Sequence, residues 1–342
     1  MEECEDEFAY QEEKKRETPS VYVPKPEIYI PPSNISGPPP FMKDFIISQR
    51  QLQPVKTKID SIFIKGSKII AHHPNSDYIE GTLFHMANAY FYRSEWLPSQ
   101  IKCSELLDKY PKGEFAPDAQ FLLAKNYLIQ RKFHAGKRAL SRCVDVSWLN
   151  ERYDILSEAF RLEAELALYQ DDEEGALLPY RQAIAQVDDA KLRAKWQVEL
   201  AALLFRMRKF EMAEEQFAKV HKFRPDYKAF FEAKLYRASC LNRMGRYEKA
   251  NEILEDLESD GKFEEWIAYV FAERMNVIRL KENYEELTKA EKFADSAYVG
   301  NPAIASQYFE IGMDYFKSYN YKKARTYFAP AKGANSPILE TA

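Results

Sequence analysis

One position recurs at a nearly constant spacing through most of this chain of 342 residues. The residues at this position are Ser99, Gly136, Ala176, Ala213, Ala250, Leu287 and Ala324, and their spacing is 37 residues except for one interval of 40. Most of them follow an aromatic residue by three positions, namely Trp96, Phe133, Phe210, Tyr247, Tyr284 or Tyr321. A period in this range is typical of a solenoid built from repeats. The pattern predicts a tight turn, a helix, and a small residue where two helices cross.

Composition argues against a nucleotide-dependent enzyme. The chain is 46% hydrophobic, which is enough to build a core, but it contains only 11 glycines and these are scattered. Phosphate-binding loops need clustered glycines so that backbone amides can approach the ligand. Neither of the common glycine-rich fingerprints occurs. We therefore expect no cofactor.

Charge argues against nucleic acid as a partner. The formal net charge is −4, and residues 1–20 alone carry eight acidic and three basic side chains. The rest of the chain is close to neutral, whereas binding phosphates requires a basic surface.

Cysteine and histidine spacing predicts neither a metal site nor a catalytic site. The four cysteines form no C-x-x-C pair, and Cys103, Cys143 and Cys240 fall at repeat positions that we expect to be packed. The five histidines form no ligand cluster. We predict no catalytic residues and no metal ligands, and hence a protein that is not an enzyme.

Residues 1–40 differ in composition from the rest of the chain. Residues 1–17 are highly charged, and residues 18–40 hold eight of the 18 prolines, a density that opposes helix formation. We expect a disordered acidic and Pro-rich tail, which is either a mobile linker or a strap whose apolar residues 21–32 lie in the chain's own groove. Helical periodicity predicts a solenoid over 41–342, with a partial first repeat over 41–74 and about seven repeats over 75–337.

The repeats share a pattern of small and aromatic residues. In the last repeat the pattern consists of Ile311, Gly312, Tyr315, Tyr321, Ala324, Phe328 and Ala331. This pattern resembles the tetratricopeptide repeat (TPR) family, although Glu173, Leu287 and Glu291 depart from it. The resemblance implies an all-α fold, a right-handed superhelical solenoid of antiparallel helix pairs that share one continuous core.

In that family the first helix of each repeat lines a concave groove that binds peptides. The resemblance assigns to the groove Asn88, Phe91, Tyr92, Phe121, Lys125, Arg161, Phe205, Arg206, Asn242, Arg243, Asn276, Arg279, Phe309, Phe316 and Lys317. Arg206, Arg243 and Lys317 share one repeat position. In the repeat between the last two, Leu280 holds that position and Arg279 directly precedes it. Cations among aromatic rings suit a peptide with acidic groups or a free carboxylate. The alternative is that these cations only offset the macrodipoles at helix C-termini.

A narrower resemblance concerns the order of the repeats. Residues 178–235 and 306–328 are similar to the SprE/PorW-like periplasmic lipoproteins of the type IX secretion and gliding-motility machinery of Gram-negative bacteria. Cys4 is followed by an acid-rich stretch that resembles the one after the lipidated cysteine of some surface lipoproteins. The residues before Cys4 lack a lipidation signal. Cys4 is therefore a candidate for lipidation, with an ordinary cysteine as the alternative.

These features predict a non-enzymatic, protein-binding scaffold of a multi-protein complex. The resemblance implies the cell envelope, periplasmic or outer-membrane associated, with the cytoplasm as the alternative location. An outer-membrane assembly adaptor is a second hypothesis, and a regulatory or binding module of a larger enzyme is a third. Partners would be proteins bound by the groove and the Pro-rich strap. A membrane would be reached only through a lipid anchor or through partner proteins.

Overall fold

The computed structural model describes residues 1–13, 17–24 and 37–331. Every regular element in these residues is helical, so the prediction of an all-α solenoid is confirmed. The α-helices are α1 (Glu2–Glu13), α2 (Gln49–Leu52), α3 (Lys56–His72), α4 (Ile79–Tyr92), α5 (Trp96–Lys109), α6 (Ala116–Ile129), α7 (Phe133–Leu149), α8 (Tyr153–Tyr169), α9 (Glu173–Gln186), α10 (Ala190–Arg206), α11 (Phe210–Lys219), α12 (Tyr227–Arg243), α13 (Tyr247–Ser259), α14 (Ile267–Leu280), α15 (Tyr284–Ala297), α16 (Pro302–Lys317) and α17 (Tyr321–Ala331). Short 3-10 helices span Pro40–Phe45, Gln53–Val55, Val220–Phe223 and Gly261–Trp266.

The same turn joins the two helices of every repeat from α4/α5 to α16/α17. One residue of each turn has a positive φ, and these residues are Ser94, Arg131, Asp171, Arg208, Gly245, Glu282 and Tyr319. The next N–H donates to a carbonyl five residues earlier, as Asn320 N does to Tyr315 O at 2.9 Å. This left-handed closure is a common way to end a helix. Because the turn is constant, the aromatic residue that follows begins the second helix in each repeat that has one.

The recurring small residue lies where the second helix crosses the first. Ser99, Ala176, Ala213 and Ala250 are fully buried. At Gly136 a Cβ atom would lie 2.5 Å from Leu128 Cδ2, which is closer than van der Waals contact allows. The period therefore reflects a close helix crossing that is repeated along the chain.

The single interval of 40 residues has a local cause. The link from the second helix of one repeat to the first helix of the next varies in length and form. The helix lengths vary with it, so that in most repeats the sum stays at 37 residues. Between α7 and α8 the link is instead a three-residue turn with Glu151 at φ 55°, and both helices have 17 residues. The longer pair adds three residues to the period.

The chain divides into two compact lobes. The N-lobe consists of Met1–Arg16 and Ser36–Asp188, and the C-lobe consists of Glu17–Ile35 and Asp189–Ala342. Within each lobe the first helices of successive repeats contact one another: α4 contacts α6 and α6 contacts α8 in the N-lobe, and α10 contacts α12, α12 contacts α14 and α14 contacts α16 in the C-lobe. The described residues 17–24 therefore belong to the C-lobe, although α1 before them belongs to the N-lobe.

The cores are apolar and include the three repeat cysteines. Cys103, Cys143 and Cys240 are fully buried, as the repeat position predicts. Burial raises the pKa of the Cys103 and Cys143 thiols to about 12. They therefore remain protonated and act as small apolar side chains.

The first residues differ from the predicted disordered tail. They form α1, in which Cys4 and Phe8 are 1% and 8% exposed and pack against a cluster that contains Val55 and Ile59. Cys4 and Phe8 are four residues apart and thus on one helix face. Acidic side chains in the first turn also favour the helix N-terminus. In the sequence, the many charged residues conceal the short apolar face of α1 that Cys4 and Phe8 form.

The burial of Cys4 also bears on its proposed lipidation. Burial raises the pKa of the Cys4 thiol, and acylation of its Sγ would require α1 to leave the N-lobe. The predicted strap over residues 25–32 and the end of the last repeat, up to residue 337, lie outside the described residues. Within the described part of the chain, no helix combines the length and the apolar character that a membrane crossing requires.

Candidate functional site

A groove on α12 and α14 of the C-lobe holds residues 17–24, a non-helical stretch that we call the strap segment. The Tyr236 hydroxyl accepts a hydrogen bond from Tyr22 N at 2.9 Å and donates one to Ser20 O at 2.8 Å. Ser20 N donates to Glu232 Oε1 at 2.5 Å, and the Tyr269 hydroxyl donates to Pro19 O at 3.1 Å. All four bonds engage backbone atoms of the strap segment.

Side-chain packing supports these bonds. The Tyr22 and Tyr236 rings lie 4.6 Å apart, and Val23 is 3% exposed. Burial raises the pKa of Glu232, while Lys228, whose Nζ lies 3.9 Å from Glu232 Oε1, acts in the opposite direction. Burial also raises the pKa of Tyr236. Tyr236 is therefore a neutral donor at physiological pH.

A cavity of about 270 Å³ adjoins Val23 and Pro24. Its charged lining residues are Arg208, Arg243, Arg279, Lys317, Glu310 and Asp314. This C-lobe cavity is thus lined by four cations and two carboxylates.

Two of these cations are paired within the chain. Glu310 accepts from Arg243 at 2.6 Å and from Arg279 at 2.5 Å, and Arg279 also lies 2.6 Å from Asp314. Arg243 in addition stacks on the Phe205 ring at 4.9 Å. Burial acts to raise the pKa of Glu310, but the two guanidinium groups outweigh it and lower that pKa. The result is a buried ionic network that links α12, α14 and α16.

This network shows that the cations assigned to the groove by their shared repeat position do not have the same surroundings. Arg243 and Arg279 have carboxylate partners in the interior of the C-lobe, and Lys317 is an exposed residue of the cavity lining. Arg206 does not line the cavity, and its buried Nε has no hydrogen-bond partner among the described residues. The four cations thus occupy three different environments, although their spacing made them appear equivalent.

Several other predicted groove residues belong to the core. Phe205, Asn242 and Asn276 are at most 1% exposed, so they support the groove from below rather than contact a ligand. Both asparagines donate to Glu273 Oε1 at 2.8 Å. Phe309, which is 1% exposed, does line the cavity. Phe316 lies outside that lining and packs on Tyr321, with ring centroids 5.3 Å apart.

The sequence reading missed the acidic and tyrosine residues of the groove. Tyr236, Glu273 and Glu310 are each 37 residues apart, as are Glu232 and Tyr269. The same 37-residue spacing that relates the cations therefore also relates these residues, and it is the sequence signal that could have located them.

A second cavity, of about 540 Å³, lies in the N-lobe. Five predicted groove residues line it together: Asn88, Phe91, Tyr92, Phe121 and Lys125. The sixth N-lobe prediction, Arg161, is absent from the lining, and its Nη2 lies 3.4 Å from Glu165 Oε1.

Helix α1 supplies part of the wall of the N-lobe cavity. The Tyr92 hydroxyl donates to Glu5 Oε1 at 3.2 Å, and the Tyr92 and Phe8 rings lie 5.3 Å apart, edge to face. No repeat signal could have placed these residues here, because α1 lies outside the repeats.

Lys125 has an unusual environment in the N-lobe cavity. Its Nζ lies 4.2 Å from the Phe121 ring centroid and 4.5 Å from that of Phe45. Burial lowers the pKa of Lys125 to about 8, although the carboxylate of Glu158 acts to raise it. The two rings stabilise the ammonium by cation–π attraction, which only partly replaces hydration.

The described residues contain no group of three or more histidine, cysteine, aspartate or glutamate side chains that could hold a metal ion.

Comparisons with known proteins bear on the fold. No protein-family model and no curated protein sequence matches the chain. A tetratricopeptide repeat protein from Parabacteroides merdae has 15% sequence identity and a TM-score of 0.50, and the match covers 76% of this chain and 96% of that protein. The apo form of the quorum sensor NprR from B. thuringiensis has 10% identity and a TM-score of 0.49, with coverage of 82% and 84%. The first of these likenesses supports the assignment of a TPR-type helical repeat fold.

Proposed function

We propose that this chain is a non-enzymatic scaffold that binds segments of partner proteins in its C-lobe groove, in place of the strap segment. One observation carries the proposal. The groove holds a real polypeptide segment through hydrogen bonds to backbone atoms of Pro19, Ser20 and Tyr22.

Backbone recognition is tolerant of sequence. Every polypeptide carries the same N–H and C=O groups, so Tyr236 and Tyr269 could bond to other non-helical segments. With the strap segment in place Glu232 and Tyr236 are buried, so an occupant that covers them must form hydrogen bonds with both. A partner that supplies the same bonds and also fills the adjoining cavity would displace the strap segment.

The experiment uses a fluorescein-labelled peptide with the sequence of residues 17–24. It is titrated into the intact chain and into a variant in which these residues are replaced by a Gly/Ser linker of equal length. We expect the variant to bind the peptide at least about tenfold more tightly, because the tethered strap segment competes at an effective concentration in the millimolar range.

Two substitutions in the linker variant test the site. Tyr236→Phe removes two hydrogen bonds and should weaken peptide binding about tenfold. Tyr284→Phe is the control, since Tyr284 is exposed and belongs to α15. Equal binding by the intact chain and the linker variant, or no effect of Tyr236→Phe, would contradict the proposal. Affinity capture with mass spectrometry should recover a protein with the linker variant and lose it with Tyr236→Phe.

The finer form of the proposal places the scaffold in a cell-envelope assembly. It is supported by the resemblance of residues 178–235 and 306–328 to envelope lipoproteins. Fractionation of the source cells, followed by immunoblotting, tests it, and recovery of the protein in the cytoplasmic fraction alone would rule it out.

A further inference from the structure

The C-lobe groove bonds N–H groups at two positions of the strap segment. Ser20 N donates to Glu232 Oε1 at 2.5 Å, and Tyr22 N donates to the Tyr236 hydroxyl at 2.9 Å. The N–H group of Val21, which lies between them, makes no hydrogen bond with any described residue. The groove therefore uses an N–H group at the positions of Ser20 and Tyr22 but not at the position of Val21.

Prolines stand at positions where the groove uses no N–H group. Pro19 and Pro24 lie on either side of the residues that donate, and a proline has no backbone N–H. Pro19 is buried, and its carbonyl accepts from the Tyr269 hydroxyl at 3.1 Å. A buried N–H group without an acceptor would cost free energy. Proline thus supplies the acceptor that the groove bonds without adding a donor that it does not bond.

The prolines also favour the backbone conformation that the groove holds. A proline fixes its own φ near about −65° and disfavours helical backbone at the residue before it, here Thr18 and Val23. The Tyr236 hydroxyl bridges the carbonyl of Ser20 and the N–H of Tyr22, which are only two residues apart. In an α-helix that carbonyl would instead accept from an N–H four residues later. The groove therefore fits a non-helical segment.

Side-chain contacts add a preference at two further positions. The ring centroids of Tyr22 and Tyr236 lie 4.6 Å apart, and burial raises the pKa of Tyr22. Val23 is 3% exposed and lines the C-lobe cavity together with the apolar side chains of Leu280 and Phe309. An aromatic residue followed by an aliphatic residue suits these contacts.

We infer that the C-lobe groove selects proline-containing, non-helical segments of partner proteins. The preferred order is that of residues 19–24: a proline, a residue with an N–H group, any residue, an aromatic residue, an aliphatic residue and a second proline. Such a segment is partly ordered before it binds and so loses less conformational entropy. The inference rests on the proposed function, because it takes the strap segment as the stand-in for a partner. It adds the class of segment that the partner must carry.

Four end-capped, fluorescein-labelled peptides test this order in the Gly/Ser linker variant. The first has the sequence of residues 17–24. The second and third are isomers of it with the same composition and charge: one exchanges Pro19 with Ser20, and the other exchanges Glu17 with Thr18. The fourth carries Pro19→Ala and Pro24→Ala.

The two isomers should differ in affinity. Exchange of Pro19 with Ser20 removes the N–H group that Glu232 accepts, and it should weaken binding at least about tenfold. Exchange of Glu17 with Thr18, which are both exposed, is the matched control and should leave the affinity within about twofold. The peptide with two alanines should bind about fivefold or more weakly than the first peptide, because its unbound backbone is less restricted.

Two results overturn the inference. Equal affinity of the first peptide and the two-alanine peptide would show that the groove does not select proline. Equal affinity of the two isomers would show that it does not require the N–H group at the position of Ser20. In both cases binding of the first peptide, and its loss with Tyr236→Phe, would leave the proposed function intact. If no peptide binds the linker variant, the proposed function and this inference fail together.

Discussion

The two lobes use the same repeat but cover their grooves in different ways. In the N-lobe the cover is helix α1, held by burial of Cys4 and Phe8. In the C-lobe the cover is the strap segment, held by backbone hydrogen bonds to Glu232, Tyr236 and Tyr269. An apolar cover depends on matching side chains, whereas a backbone-bonded cover can be replaced by many sequences. The repeats thus form the walls of both grooves, and α1 and the strap segment determine which parts of those grooves are covered.

The largest expected effect concerns the ionic network that distinguishes the C-lobe. Glu310→Ala leaves Arg243 and Arg279 without their shared carboxylate, and we expect a loss of about 4 kcal/mol in the free energy of unfolding. Urea denaturation measures it. Glu285→Ala removes an exposed partner of Lys289 and should cost under about 0.5 kcal/mol. A similar small cost for both would mean that the network contributes little to stability.

The pH dependence of the same network has a definite sign. Because the pKa of Glu310 is lowered in the folded state, its contribution is complete above the pKa of the unfolded chain, about 4.3, and is lost as the pH falls through the folded value. The stability difference between wild type and Glu310→Ala should therefore shrink in acid.

The next effect concerns the N-lobe cavity. Burial lowers the pKa of Lys125 to about 8. At neutral pH the charged ammonium therefore destabilises the folded state, and unfolding restores its hydration. From about pH 8 to 10.5 the unfolded chain binds more protons, so the free energy of unfolding should rise by up to about 3 kcal/mol from this residue. Lys125→Met should lack that rise. An identical pH profile for wild type and variant would contradict the burial of the ammonium.

A smaller effect tests how α1 is held. Phe8→Ala should weaken the docking of α1 on the N-lobe by about 2 kcal/mol. This is less than the usual cost of removing a buried phenylalanine, because α1 can undock locally instead of leaving a cavity in the core. The rate of maleimide labelling of Cys4 should then increase about thirtyfold. Tyr10→Ala changes a residue that is 53% exposed and should leave the rate unchanged. Buried Cys143 is the internal reference, and faster labelling of Cys143 as well would indicate global rather than local opening.

The smallest effect tests what the lobes share. Ser94 and Tyr319 hold the same positive-φ turn position in the N-lobe and the C-lobe. A side chain in that conformation costs about 1 kcal/mol, so Ser94→Gly and Tyr319→Gly should each stabilise by about that amount. Gly245→Ala should destabilise similarly, whereas Gly261→Ala, at a glycine without positive φ, should not. Thermal unfolding measures all four, and unequal gains in the two lobes would show that the turns differ.

Spacing along the chain predicted much of the solenoid. The 37-residue period located the buried position of each repeat and the start of most second helices, and it placed Cys103, Cys143 and Cys240 in the core. It did not predict α1 or the lengthened pair α7/α8. In the first case charged residues conceal a short apolar helix face, and in the second case both helices have 17 residues, a length that the spacing of the other repeats does not specify.

The candidate site was less predictable from spacing. Asn88, Phe91, Tyr92, Phe121 and Lys125 line one cavity, and their role in binding a peptide stays a prediction. The period could not show that Arg243 reaches Glu310, since that contact joins residues 67 positions apart on α12 and α16. Which cation pairs with which carboxylate depends on how neighbouring helices are shifted along their axes, and the 37-residue period does not specify that shift.

The sequence by itself determined the repeat, because a helix crossing of fixed geometry demands a small residue at a fixed interval. Only the tertiary structure decided which cations pair with carboxylates, which acidic side chains line each cavity, and which residues of the N-terminal segment lie in each groove. The physical reason is the range of the interactions. Helix turns and crossings depend on residues that are near in sequence, whereas ion pairs, cavities and the binding of the strap segment depend on residues that only the folded chain brings together.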